Sequence, residues 1–246
     1  MPSDAILTGY DVVDNDYFAR RAAKVRERVS LRRRDLGLPE KYFLCSARFI
    51  PKKNLARLLL AFAFFLERNP TGNSEGAAWH LVLLGDGPMR AEVEATIDSL
   101  GLSSRVHLAG FRQIEELPAF YALAEALILP STTEQWGLVV NEAMACGLPV
   151  VVSERCGCAP DLVEDGRNGF TFDPYDVNAL AALLGKIASG HCDRFAMGEA
   201  SREIISEWSP ETFATGLERA VEAALAVPRR DAGILDQALL WALSRR

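Results

Sequence analysis

The sequence predicts an α/β fold in which one parallel sheet is covered by helices on both faces. From Tyr42 onward, short apolar runs typical of buried strands alternate with segments of helical periodicity, which is the order of βα units. Glycine and proline stand where helices should end, as at Gly147 and Pro149. The 246 residues, 49% hydrophobic and 24% charged, are enough for one large or two small globular domains.

Six strands are predicted, each from a run of apolar residues. They are residues 42–46, 80–84, 106–108, 126–130, 150–152 and 170–172. The connecting segments predict helices at 55–66, between Pro88 and Gly101, at 115–125 and at 137–145, with further helical segments after Pro174. Asn54 stands directly before the first of these helices and is predicted to cap it.

Charge and cysteine content narrow the class of protein. The 33 acidic and 27 basic side chains give a formal net charge of −6, and this argues against a nucleic-acid partner because such proteins carry a basic footprint. No basic segment followed by an apolar one opens the chain, so no secretory signal is predicted. Five cysteines, an odd number, favour the reducing cytoplasm. Cys156 and Cys158 lack a second ligand cluster, so no metal site is predicted.

One segment, residues 20–34, has the opposite charge. It holds eight basic side chains against Glu27 alone. A solvated helix face is one interpretation, and contact with an anionic membrane surface is the other. The longest apolar run, residues 58–66, is about half the length needed to span a bilayer, so membrane association is expected only as peripheral contact at the inner membrane surface.

The loop after the first strand carries two cations, Arg48 and Lys53, ahead of a helix. In open parallel sheets ligands bind outside the carboxyl ends of the strands, so this loop faces the expected ligand crevice. An arginine fork, a lysine charge and a helix N-terminus together suit a diphosphate and need no metal. By themselves, these two residues are also compatible with solvated loop charges.

The loop after the second strand contains Gly85 and Gly87 in the sequence Gly-Asp-Gly-Pro. Glycines without a Cβ atom are expected to let the backbone approach a bound ligand closely. The motif is weak, since most such glycine pairs mark turns. The third glycine of the dinucleotide fingerprint is missing, which counts against an NAD enzyme.

Two glutamates follow the fourth strand. Glu134 is predicted in the loop and Glu142 in the following helix, with seven residues between them, so the two carboxylates can reach different parts of one extended ligand. Carboxylates accept hydrogen bonds in pairs, which suits vicinal hydroxyls of a sugar or ribose. A salt-bridged helix residue is the alternative interpretation of Glu142.

These motifs together resemble the carboxyl-terminal, donor-binding half of the family-four, GT-B type retaining glycosyltransferases, also called group 1. The most specific part is the segment at 134–150, EQWGLVVNEAMACGLPV, and the resemblance covers about residues 42–225. It implies a Rossmann-like domain that binds a nucleoside-diphosphate sugar. No cofactor and no metal are implied, because arginine, lysine and helix N-termini supply the countercharge.

The resemblance also implies roles for the two cations and the two glutamates. Arg48 and Lys53 hold the donor diphosphate and stabilise the leaving nucleotide as negative charge develops. Glu142 binds the ribose hydroxyls, and Glu134 contacts the transferred sugar.

Backbone groups of two loops complete the implied site. The backbone of 135–138, the residues Gln135, Trp136, Gly137 and Leu138, lies close to the sugar and the phosphates. The nucleotide base lies beside the loop after the third strand, formed by Gly110, Phe111 and Arg112.

Three segments are predicted: a linker with a basic helical part at 1–38, the nucleotide-sugar-binding domain at 39–226, and a helical tail at 227–246. The family places an acceptor-binding domain before the donor half, and none precedes the first strand here, so an N-terminal acceptor domain or separate subunit is the expected partner. Asp161 stands where the family usually has glutamate, so no donor contact is assigned to it.

Two other functions remain open at the level of sequence. One is a non-catalytic nucleotide-sugar-binding module or subunit of a split transferase, which differs from the first interpretation in whether a partner restores transfer. The other is an epimerase or a phosphorylase of the same architecture. A phosphorylase requires a pyridoxal-bearing lysine that the sequence does not identify, and an epimerase should release a changed nucleotide sugar without an acceptor.

Overall fold

The computed structural model describes residues 10–69, 78–189 and 191–226, together with the single residues 233, 241 and 243. The predicted helical tail at 227–246 therefore lies almost entirely outside the described residues. The described strands are β1 (Lys41–Ser46), β2 (Trp79–Leu84), β3 (Val106–Gly110), β4 (Ala126–Leu129), β5 (Val150–Ser153) and β6 (Gly169–Phe172). All six strand predictions are confirmed to within one or two residues at each end.

The strands form one six-stranded sheet in the order β3-β2-β1-β4-β5-β6, and every pairing is parallel. The chain builds outward from β1 to β3, crosses back to the other side of β1, and then continues to β6. The strand order therefore reverses between β1 and β4. In sheets of this kind the crevice at the reversal point, outside the carboxyl ends of the strands, is where ligands bind.

Ten α-helices connect and cover these strands in the described part of the chain. They are α1 (Asn15–Arg26), α2 (Val29–Leu36), α3 (Leu55–Arg68), α4 (Arg90–Ser99), α5 (Leu117–Leu123), α6 (Leu138–Ala145), α7 (Ala159–Leu162), α8 (Val177–Ala188), α9 (Arg194–Ser206) and α10 (Pro210–Ala226). None of the helices so described is both long enough and apolar enough to cross a bilayer.

Helices cover both faces of the sheet, as predicted. Side chains alternate along β1 between two core clusters: Tyr42 and Leu44 belong to one, and Phe43 and Cys45 to the other. Helices α3, α4 and α8 pack on the Phe43 side, while α1, α5 and α6 pack on the Tyr42 side. Both faces of the central strand are therefore buried, which explains why its polar residues, Lys41 and Ser46, stand only at its two ends.

Helix α1 belongs to the core on the Tyr42 side. Phe18 and Ala22, one turn apart, are buried there. Two of the eight basic residues at 20–34 are used structurally: Arg26 donates to the carbonyl of Cys146 at 2.7 Å, and Arg33 donates to the carbonyl of Leu123 at 3.1 Å. The other six are exposed. They are Arg20, Arg21, Lys24, Arg28, Arg32 and Arg34.

Asn54 precedes α3, but the prediction that its side chain caps the helix is wrong. The residue has a left-handed φ of 57° and makes no side-chain capping bond. Its amide instead donates to the carbonyls of Pro130, at 3.0 Å, and Pro174, at 2.9 Å. Because both partners are buried loop carbonyls that need a donor, the side chain ties the loop after β1 to the ends of β4 and β6.

His80 on β2 and His107 on β3 predict that the stability of the fold decreases at acidic pH. Nε2 of His107 lies 2.9 Å from Nδ1 of His80, and burial, together with His107 and Arg105, lowers the pKa of His80 to about 4. The unfolded chain takes up this proton near pH 6.5, so the stabilisation is complete above that pH and is lost as the pH falls toward about 4.

We expect the free energy of unfolding, measured with urea, to fall over this interval in the wild type and to fall less steeply in His80→Gln. His191→Gln removes an exposed histidine and serves as the control, with the wild-type slope. Identical slopes for wild type and His80→Gln would show that the pair does not carry the pH dependence.

Candidate functional site

A cavity of about 240 Å³ opens where β1, β2 and β3 end. It brings together five of the residues singled out from the sequence, Arg48, Gly85, Phe111, Arg112 and Glu142. The remaining lining residues were not predicted. They are Ser46, Ala47, Leu84, Asp86, Leu117 and Val139. The cavity lies on the carboxyl side of the sheet, where the topology locates the ligand crevice.

Gly85 and Gly87 are required for packing within the protein, a reason that the sequence did not show. A Cβ atom on Gly85, whose φ is 133°, would lie 2.0 Å from the carbonyl oxygen of Ala47. One on Gly87 would lie 2.5 Å from the carbonyl oxygen of Phe49. The close approach is therefore to the loop after β1, and it holds that loop, with Arg48, at one wall of the cavity.

The loop after β3 forms the opposite wall. Phe111 is 70% exposed, so its ring faces solvent at the rim. Arg112 is held in place, since its Nε donates to the carbonyl of Ala109 and its Nη1 to Glu116, each at 3.1 Å. Gly110 has a φ of 72° and accepts from the amide of Gly85 at 2.9 Å, which joins the two loops.

Lys53 and Glu134 do not line this cavity but pair with each other. The Lys53 ammonium donates to Oε2 of Glu134, and both side chains are 13% exposed. Lys52 lies 3.4 Å from the other carboxylate oxygen and is more exposed, at 42%. Burial alone would raise the pKa of Glu134, but the hydrogen bond and charge of Lys53, with those of Lys52, outweigh it and hold the pKa below its usual value. Glu134 is therefore a carboxylate at neutral pH.

Glu142 lies in the second turn of α6, as predicted, with one carboxylate oxygen already bonded. The hydroxyl of Tyr121 on α5 donates to its Oε2 at 2.6 Å. Burial raises the pKa of Glu142, and the hydrogen bond from Tyr121 opposes that shift. Sequence reasoning missed Tyr121, because a tyrosine in an apolar helix gives no signal of its partner.

The loop before α6 lies outside the lining of the cavity, and one of its side chains is buried in the core. Trp136 is buried, donates from its indole to Asn141 at 2.9 Å, and packs on Trp208 with ring centroids 4.9 Å apart. Gly137 precedes α6 with a φ of 111°. Gln135 and Leu138 are exposed on either side. The prediction that the backbone of 135–138 lies close to the sugar and the phosphates stays a prediction, since these residues are not among those that line the cavity.

Comparisons with known proteins give the family and the fold of this chain. A family model described as glycosyl transferases group 1 matches residues 30–204. A GDP-mannose-dependent alpha-(1-6)-phosphatidylinositol monomannoside mannosyltransferase from Mycolicibacterium smegmatis is 31% identical over 211 residues, covering 81% of this chain and 52% of that protein. The chain spans about half the length of the curated relatives it matches.

Solved structures share the fold. A sucrose-phosphate synthase from Thermosynechococcus elongatus has a TM-score of 0.71 and 27% identity, over 87% of this chain and 51% of the other. The C-terminal domain of LpcC, a glycosyl transferase group 1 family protein from Francisella tularensis, has a TM-score of 0.65 and 21% identity, over 80% of this chain and 99% of that domain. This second likeness concerns the fold alone.

Proposed function

This chain belongs to the glycosyl transferases group 1 family, and from that premise we propose that it is the donor-binding half of an enzyme that transfers a sugar from a nucleoside diphosphate to an acceptor with retention of configuration. The observation that carries the proposal is the cavity at the carboxyl ends of β1, β2 and β3, next to the reversal point of the sheet. Arg48, Phe111 and Glu142, from three separate loops and helices, line it together. Cation, aromatic ring and carboxylate match the phosphate, base and ribose of a nucleotide.

In this proposal the nucleotide spans the cavity from Phe111 to Arg48. The base lies against the loop after β3, the ribose hydroxyls donate to Glu142, and the diphosphate is bound by Arg48 and the first turn of α6. Arg48 is exposed and makes no ion pair with the described residues, so its guanidinium is available to phosphate. These groups supply the countercharge for the leaving nucleotide without a metal.

Lys53 and Glu134 act next to this site. Because they pair with each other, a bound diphosphate competes with Glu134 for the Lys53 ammonium. Lys52 remains within 3.4 Å of Glu134, so the carboxylate keeps a cationic partner when Lys53 turns to the phosphate. Glu134 is then free to accept hydrogen bonds from the sugar that is transferred.

A second domain is proposed to supply the acceptor. The matched part of this chain covers 52% and 54% of two of the relatives, so each of them has a further portion that this chain does not match. Helix α10 carries an apolar stripe at four-residue spacing that is open to solvent: Phe213, Leu217, Val221 and Leu225 are 39–80% exposed. An exposed apolar stripe of this kind supports a contact with another domain or subunit.

Other assignments receive less support. A non-catalytic binding module is not favoured, because the family and the matched relatives are named for transferase activity. An epimerase or phosphorylase has no supporting observation among the described residues.

A transfer assay tests the proposal. The purified chain is incubated with a panel of nucleotide sugars and simple acceptors, and nucleotide release and glycoside formation are both measured. We expect the chain to bind a nucleotide sugar but to transfer little, since transfer requires an acceptor held at near-attack distance. Efficient transfer by the monomeric chain would contradict the half-enzyme assignment.

We also propose that the basic face of the α1–α2 hairpin contacts an anionic membrane surface. Six of its cations are exposed. Residues 20–34 carry a net charge of +7, so the rest of the chain, whose total is −6, carries a net charge of −13. Such separation of charge orients the molecule toward an anionic surface.

Vesicle sedimentation tests this contact. Binding to vesicles with phosphatidylglycerol, but not to pure phosphatidylcholine, is expected. Lys24→Gln/Arg28→Gln should lower the partition constant roughly thirtyfold, since each basic residue near the surface contributes about 1 kcal/mol. Arg219→Gln on α10 is the control and should bind as the wild type does. Equal binding to both kinds of vesicle would exclude the electrostatic contact.

A further inference from the structure

A buried tyrosine supports the carboxylate at the centre of the proposed nucleotide site. Tyr121 has no exposed surface, and its hydroxyl donates to Oε2 of Glu142 at 2.6 Å. A buried hydroxyl without a hydrogen-bond partner lowers the stability of the fold. The partner of the Tyr121 hydroxyl is Glu142, which lines the cavity.

The surroundings of Tyr121 fix the position of its hydroxyl. Tyr121 lies on α5, and its hydroxyl reaches α6 through Glu142. The ring packs edge-on against Phe18 of α1, with centroids 6.3 Å apart. Helices α1, α5 and α6 are thus linked through one side chain, which leaves the phenol little freedom to move.

This contact restricts the carboxylate of Glu142. With Oε2 bonded to the tyrosine, the side chain is held in one rotamer and its remaining acceptor capacity is left for a ligand in the cavity. A glutamate free to rotate would lose conformational entropy on binding, and a fixed one avoids that cost. The hydroxyl also stabilises the ionised form, which burial disfavours.

We propose that Tyr121 is a positioning residue for the nucleotide site, whose hydroxyl holds the Glu142 carboxylate in the orientation that accepts hydrogen bonds from the ribose hydroxyls. The proposal rests on the proposed function, and it adds a residue that touches neither nucleotide nor sugar. It assigns Tyr121 an effect on ribose recognition beyond its share in the core.

The test compares Tyr121→Phe with the wild type by titration calorimetry, using UDP, GDP and ADP and the 2′,3′-dideoxy counterpart of whichever binds most tightly. Phenylalanine keeps the ring and its contact with Phe18. We expect affinity for the ribonucleotide to fall about tenfold, the typical effect of one lost hydrogen bond, and affinity for the dideoxynucleotide to stay unchanged. In a Glu142→Ala background, Tyr121→Phe should have no further effect.

Tyr42→Phe is the matched control. Tyr42 is also fully buried, and its hydroxyl donates to the carbonyl of Phe120 at 2.7 Å, away from Glu142. Both variants lose a buried hydrogen bond and should lose stability, but Tyr42→Phe should keep its ribonucleotide affinity.

The pH profile gives a readout that a purely structural role would not move. Ribonucleotide affinity should fall as Glu142 takes up a proton, and without the tyrosine hydroxyl this fall should begin at a higher pH. The proposal is overturned if Tyr121→Phe loses the same affinity for the ribonucleotide and the dideoxynucleotide. It is also overturned if the variant keeps the wild-type affinity and pH profile. In both cases the proposed function stands. Absence of nucleotide binding by the wild type overturns both.

Discussion

Gly85→Ala is expected to destabilise the chain by about 3–5 kcal/mol, the range of severe overpacking combined with backbone strain. The added Cβ atom would lie 2.0 Å from the carbonyl oxygen of Ala47, and the backbone φ of 133° is strained for any residue with a side chain. The neighbour is backbone and cannot rotate away. Relief requires the loop after β1 to move, and this loop carries Arg48, so nucleotide affinity should fall as well.

Urea unfolding followed by circular dichroism measures this effect, and Gly101→Ala is the matched control. Gly101 also has a left-handed φ, of 66°, but nothing lies within 4 Å of its Cβ position. The control should therefore cost only about 1 kcal/mol of backbone strain. Equal losses for the two variants would show that the contact with Ala47 is not what requires glycine at position 85.

The second large effect is a difference between Glu142 and Glu134 in which ligand binds less tightly when the glutamate is replaced by alanine. Glu142→Ala should weaken binding of the nucleoside diphosphate itself by about 1.5–3 kcal/mol, the usual contribution of a hydrogen bond to a charged group. Glu134→Ala should weaken only the sugar-bearing donor, by a similar amount. The structure adds that Glu134→Ala removes the partner of Lys53, so affinity for the diphosphate should be kept or raised.

Calorimetric titration of each variant with a nucleoside diphosphate and with the matching nucleotide sugar separates the roles. Glu134→Gln is the conservative control, since it keeps the size of the side chain but removes the charge that pairs with Lys53. Equal losses for both ligands in both alanine variants would mean that the two carboxylates have been assigned wrongly.

The sheet could be predicted because strands such as β4 and β5 are buried on both faces. Strands such as Val150–Ser153 are short apolar runs between turn residues, and alternation with helical segments leaves a parallel sheet as the simple arrangement. The helix limits followed from glycine and proline, whose effects on the backbone are local. Helix α7 was not predicted, since four residues carry too little periodicity.

Five of the eleven residues that line the cavity were singled out from the sequence, but the contacts around them were not predicted. Arg48 and Glu142 lie at one cavity, as the order of loops and strands suggested. The pairing of Lys53 with Glu134 and the contact of Tyr121 with Glu142 were not foreseen, because they depend on how loops and helices distant in sequence pack. Gly85 shows the same limit: its need for glycine was predicted, but the atom that imposes it is the carbonyl oxygen of Ala47.

The central claim is that this chain binds the nucleotide part of a sugar donor through its own cations and helix N-terminus. Titration calorimetry of the wild type with UDP, GDP and ADP and their glucose or mannose derivatives, in buffer with EDTA, tests it most directly. Saturable binding of at least one nucleoside diphosphate, unchanged when magnesium replaces EDTA, is the predicted result. Binding that vanishes in EDTA and returns with magnesium would contradict it.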